Sequence, residues 1–151
     1  MSTRHELEAD LHDRCDPETL AVYADLLQAE GDPRGELIAL DLHASGGART
    51  QQRRGALLQA WLGDEVAVAW DASTQSWYAG ELGTAVATFD RGFADLVVTE
   101  APAATLVLAS LLASPVGEVV RRISLRGSTG LLGDALVLIA ARQRPWLEHL
   151  A

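Results

Sequence analysis

Apolar positions recur with a helical period through roughly the first 62 residues and with a strand period after that. Leu7 and Leu11 share one face of a segment from about Thr3 to Asp13, with Glu6, Glu8, Asp10 and Asp13 outside it. Leu20, Tyr23, Ala24 and Leu27 form a second stripe, which stops at Gly31, where glycine suits a left-handed helix end. Asp16-Pro17-Glu18 opens that second helix: an acceptor for orphan amides, a residue pre-set for the first turn, and an acid at the positive end. Cys15 and Leu20 have the spacing of a hydrophobic staple, which gives the thiol a packing role. Asp32-Pro33 repeats the start signal at once. A third helix then runs to about Ala44, burying Leu37, Ile38 and either Leu40 or Leu42, until Ser45-Gly46-Gly47 stops it. A fourth, from about Thr50 to Trp61, carries Leu57, Leu58 and Trp61 and ends at Gly63. Starts this close together predict a tightly packed helical bundle.

From Glu65 the period is two. Val66, Val68 and Trp70 alternate with Ala67 and Ala69, Asp71 to Thr74 is turn chemistry, and Trp77-Tyr78 lies on a return strand. Thr84–Phe89 and Phe93–Thr99 predict a second pair around Asp90-Arg91-Gly92. A helix from Ala101-Pro102 to Leu112 follows, closed by Ser114-Pro115. Then come a strand over Val119–Arg126 and a helix from Gly130 or Leu131 to Arg142. This strand–helix run has a period of roughly 27–30 residues, inside the range of leucine-rich repeats. The expected fold is α+β: a helical module over 1–63, then β-hairpins and two leucine-rich-repeat-like strand–helix units over 64–151, packed as one compact body. The helical module would serve as a cap on the sheet. Pro145-Trp146-Leu147-Glu148-His149-Leu150 reads as the opening of a further unit.

Composition narrows the function classes. The 151 residues hold 21 acids against 12 bases, a net charge of −9, which argues against nucleic acid. All the bases are arginine, and their dispersion fits codon bias better than a guanidinium site. A single cysteine excludes an internal disulfide framework and a four-cysteine zinc site. No apolar run is long enough to span a bilayer, and the acidic start is unlike a signal peptide, so a cytoplasmic protein without a membrane partner is expected.

The stretch Val22 to Leu40, containing Tyr23-Ala24-Asp25 and Gly31-Asp32-Pro33-Arg34-Gly35-Glu36, resembles the bacterial repeat-companion domain family. That family carries a VYADWL–GDPRGEFI-type signature ahead of degenerate leucine-rich-like repeats. Leu26 departs from its usual tryptophan. Phe89-Asp90-Arg91-Gly92-Phe93 looks like the family's Arg-Gly-Phe hairpin, whereas Gly63 to Gly83 has no counterpart. The resemblance implies a scaffold or interaction role and brings no catalytic residues. Physically, Gly31, Asp32 and Pro33 are a stop, a cap and a start. Gly35 costs about 1 kcal/mol against alanine, which is tolerable where two backbones approach closely. Asp25, Arg34 and Glu36 could form an ion-paired network across the junction.

The candidate chemistry is thin. His5, Glu8 and His12 lie near one helix face, but the histidines are about 10 Å apart at helical rise and do not make the HExxH pattern. Cys15 beside His12 and Asp16 lacks an oxyanion-hole signal. Gly127-Ser128-Thr129-Gly130 has no Walker lysine. The expectation is a non-enzymatic protein-binding or scaffold protein without cofactor or metal; the alternative is a small metal-dependent or cysteine hydrolase. Trp70, Trp77 and Tyr78 are the candidate interaction residues, with two readings open: an exposed hot spot or core filling. A homodimer through an open sheet edge is a further expectation.

Overall fold

The computed structural model describes residues 3–43, 47–62 and 85–151, and the backbone alone of 69–71 and 76–79. Seven helices and six strands lie among them: α1 (Arg4–Asp13), α2 (Pro17–Ala29), α3 (Pro33–Leu42), α4 (Ala48–Leu62), β1 (Ala69–Asp71), β2 (Ser76–Ala79), β3 (Ala85–Asp90), β4 (Phe93–Thr99), α5 (Ala104–Ala113), α6 (Val116–Val119), β5 (Val120–Arg126), α7 (Thr129–Ala140) and β6 (His149–Leu150). The fold is mixed α+β. Two compact units divide the chain, one of Met1–Trp61 with Asp90–Gly92 and one of Leu62–Phe89 with Phe93–Ala151.

In the first unit α1, α2 and α3 each begin on a side-chain cap. Thr3 and Glu6 exchange bonds in a capping box at α1, and Asp16 accepts from the Thr19 amide (2.9 Å) at α2. The stop of α2 and the start of α3 share residues. Gly31 sits at φ 77° with its amide on the Gln28 carbonyl, while the Asp32 amide reaches the Leu27 carbonyl (2.8 Å), completing a Schellman turn. The Asp32 carboxylate then accepts from the Arg34 amide (2.9 Å) and caps α3. The two helices can meet because Gly35 has no side chain: a Cβ there would stand 2.6 Å from both the Ala24 carbonyl oxygen and the Gln28 nitrogen. Leu20, Tyr23, Leu27, Leu37, Ile38 and Leu58 fill the core of this unit. Cys15, expected to staple α2, is exposed, while Leu20 is fully buried.

The second unit holds a sheet in the order β1-β2-β3-β4-β5-β6. β1 to β4 form successive hairpins, and β4, β5 and β6 run parallel. The β3–β4 connection has two residues, Arg91 (φ 48°) and Gly92 (φ 77°), the double positive φ of a type I′ turn, whose twist matches the flanking strands. α5 and α6 connect β4 to β5, and α7 connects β5 to β6. Val119, expected to open a strand, instead closes the single turn α6. That turn is fixed by tertiary contact: a Cβ on Gly117 would collide with the Leu112 carbonyl oxygen. Leu96, Val98, Leu108, Val116 and Ile123 are buried between strands and helices.

Candidate functional site

Tyr23, Trp61 and the Gly92 carbonyl gather around one guanidinium. Arg34, 5% exposed, lies 5.8 Å from the ring centres of both Tyr23 and Trp61, and its Nε donates to the Gly92 carbonyl (3.2 Å). Tyr23 is fully buried and donates its hydroxyl to Glu8 (2.8 Å), and burial pushes its pKa up. Beside them Arg54 donates to Asp41 (2.8 Å), and the same carboxylate accepts the Arg91 amide (2.7 Å). Both cations are thus engaged by aromatic faces, carbonyls or carboxylates. This chemistry holds a turn in place. The three-way network expected of Asp25, Arg34 and Glu36 gives way to other partners. Glu36 pairs with Arg53 on α4 (2.6 Å), whose guanidinium holds its carboxyl below the usual range, and Asp25 is exposed on α2.

Of the residues of the hydrolase alternative, Glu8 is engaged within the helical unit. Glu8 accepts both from Tyr23 and from Arg4 Nε (2.9 Å). Among the described residues no three His, Cys, Asp or Glu side chains are grouped to hold a metal ion. An open cavity of about 430 Å³ lies over Asp10, Asp13, Arg14, Asp16, Glu18 and Thr19. Asp16 is committed there to capping, taking the Thr19 amide and hydroxyl (2.8 Å), which keep its carboxyl below the ordinary carboxylate range.

From Asp95 onward, past a register shift at Ala94/Asp95, the strand–helix region keeps one offset. Leu96 stands opposite Ile123, and Ile123 opposite Leu150, 27 residues further at each step; Asp95–Arg122 and Arg122–His149 share that offset. Side chains strap the units together. Glu100 accepts the Ser128 amide (2.7 Å) and hydroxyl (2.6 Å), bonds that lower its pKa. Arg144 Nη1 donates to the carbonyls of Leu112 (3.2 Å) and Gly117 (3.1 Å), satisfying acceptors that α5 and α6 leave behind. Trp146, 6% exposed, packs on Phe93 with ring centres 4.8 Å apart, and Arg121 lies 5.0 Å from the Phe93 ring centre. Sequence reasoning missed α6, the Arg144 straps and β6. Only β6 left a trace, in the Pro145–Leu150 pattern.

The far end of this run is apolar where it meets solvent. On α7, Leu132, Leu136 and Val137 are 42%, 44% and 72% exposed, and Leu150 on the edge strand β6 is 40% exposed. Trp70 and Trp77 are Cα partners in the β1–β2 pair, and Tyr78 is the partner of Ala69 on β1 and of Val86 on β3. Whether their rings are exposed or core lies outside the described residues. No helix among the described residues is long and apolar enough to cross a membrane. Comparison with known proteins yields no match: no family model, curated protein or solved structure matches the chain.

Proposed function

We propose that this chain is a non-catalytic protein–protein interaction or scaffold module of the repeat-companion type, acting in the cytoplasm without a cofactor. In this reading α1–α4 accompany a leucine-rich-repeat-like run, and that run carries the docking surface. The observation that supports it most is the 27-residue offset that β4, β5 and β6 keep from Asp95 onward. Equal steps stack equivalent residues, so each unit covers the flank of the one before it and the last flank offers a ready-made face to a partner protein. The engaged state of Arg34, Arg54 and Glu8 points the same way, since the side chains with most chemical potential are spent on holding structure.

The test is reconstitution. A partner that co-purifies with the chain from its own host is isolated and titrated against wild type, Leu136→Gln and Trp77→Ala by calorimetry. Binding that weakens at least tenfold in Leu136→Gln supports the strand–helix surface, and the same loss in Trp77→Ala assigns the β1–β2 hairpin. A turnover of substrate by the isolated chain that survives both changes would contradict a purely scaffolding role.

A further inference from the structure

The helical unit holds one piece of chain from outside its own helices. Asp90–Gly92, the turn between β3 and β4, belongs to that unit and not to the one containing the residues on either side. The unit meets it with groups already set in place. Asp41 Oδ2 accepts the Arg91 amide (2.7 Å), and the Asp41 carboxylate is itself fixed by Arg54 Nε (2.8 Å), the two side chains being 13% and 4% exposed. Arg34 Nε donates to the Gly92 carbonyl (3.2 Å) from beside the Tyr23 and Trp61 rings. Ile38 closes the site: a Cβ on the buried Gly92 would stand 2.7 Å from its Cγ1 and 3.0 Å from its Cδ1. The Arg91 side chain takes no part in this. It is 42% exposed, and its ion contact, at 3.5 Å, is with Asp90 of the turn itself. Three features of the turn are therefore read, an N–H, a C=O and a missing side chain, and all three belong to the backbone.

We infer that the helical unit is a receptor for a backbone shape, a type I′ β-turn in which a residue able to take positive φ is followed by glycine, and that Arg91-Gly92 is the ligand this chain supplies to it. The inference deepens the reading of α1–α4 as an accompanying module and is independent of the strand–helix docking surface. Its ligand class follows from φ. The turn holds Arg91 at 48° and Gly92 at 77°. Glycine in second place reaches this shape without strain, and asparagine reaches it more readily than arginine in first place. Any other side chain in second place is refused twice, by its own φ and by Ile38. Recognition built this way does not depend on the covalent link to β3 and β4. A separate hairpin with the same turn therefore occupies the site once the chain's own turn is kept out.

The test uses the full chain carrying Gly92→Val, whose own turn cannot seat, and a backbone-cyclised peptide of the Ala87–Leu96 sequence, titrated by calorimetry. One-to-one binding is expected. It should tighten several-fold when the peptide carries Arg91→Asn. It should weaken at least tenfold when the peptide carries Gly92→Ala, or when an ester replaces the Asp90–Arg91 amide and removes the N–H that Asp41 accepts. If Gly92→Val does not fold alone, the amide peptide is expected to restore its helical circular dichroism and the ester peptide is not. A Gly92→Val chain that neither binds the peptide nor folds with it overturns the inference. Binding indifferent both to the ester and to Gly92→Ala in the peptide also overturns it. Either failure leaves the partner reading of the strand–helix surface to its own titration.

Discussion

Gly35→Ala puts the helix junction to a test in which two effects oppose each other. On propensity alone alanine should stabilise α3 by about 1 kcal/mol. The added Cβ, however, would stand 2.6 Å from two backbone atoms of α2, the Ala24 oxygen and the Gln28 nitrogen. Ordinary contact needs about 3.4 Å or more, so α2 and α3 must part by roughly 0.8 Å; overpacking of this kind costs about 1–3 kcal/mol. Neither atom is on a flexible side chain, and Leu20, Leu27, Leu37 and Ile38 are packed to 1% exposure or less. With both atoms on backbone the clash should win, with a net loss of up to about 2 kcal/mol and a fall in Tm of up to about 8 °C. The matched control is Gly133→Ala, where a Cβ meets nothing within 4 Å and about 0.5–1 kcal/mol should be gained. Both are read by thermal and urea unfolding. Gly35→Ala raising Tm alongside Gly133→Ala would refute the close-approach argument.

Four further outcomes are expected. Gly92→Ala should cost about 2–3 kcal/mol in urea unfolding, because φ 77° is unfavourable for an L side chain and the Cβ would stand 2.7 Å from Ile38 Cγ1; a loss under about 0.5 kcal/mol would argue against it. Arg54→Met should cost about 2–3 kcal/mol by leaving Asp41 charged and nearly buried, and adding Asp41→Leu should recover part of that loss. Acid should destabilise the fold: Asp16, Glu36 and Glu100 all hold protons less readily when folded, so stability present near neutral pH declines as pH falls through about 4. Ser128→Ala should return the Glu100 carboxyl toward its ordinary pKa in an NMR titration, and an unchanged Glu100 titration would argue against that hydroxyl as the cause.

Local chemistry made much of this fold readable. Asp16-Pro17 and Gly31-Asp32-Pro33 encode their caps and stops within a few residues, and the β4 boundaries follow from alternation beside a two-residue turn. The capping box at Thr3 and Glu6 was equally present in the chain as a Thr-x-x-Glu pattern. What sequence could not supply was long-range. α6 is one turn held by Gly117 against the end of α5, and Arg144 finds its carbonyls 27 and 32 residues back. Arg34 illustrates the same limit: its surroundings come from α2, α4 and the β3–β4 turn, so charge spacing alone suggested Asp25 and Glu36 instead. Cys15 matched a staple by spacing, but spacing does not decide burial.

The most direct measurement of the central claim is native mass spectrometry of the chain gently purified from its own host, wild type beside Val137→Gln. The account predicts a protein complex without bound metal in the wild type, and its loss in the variant. A bare monomer carrying one stoichiometric metal ion in both would contradict it and turn attention to His5, Glu8 and His12.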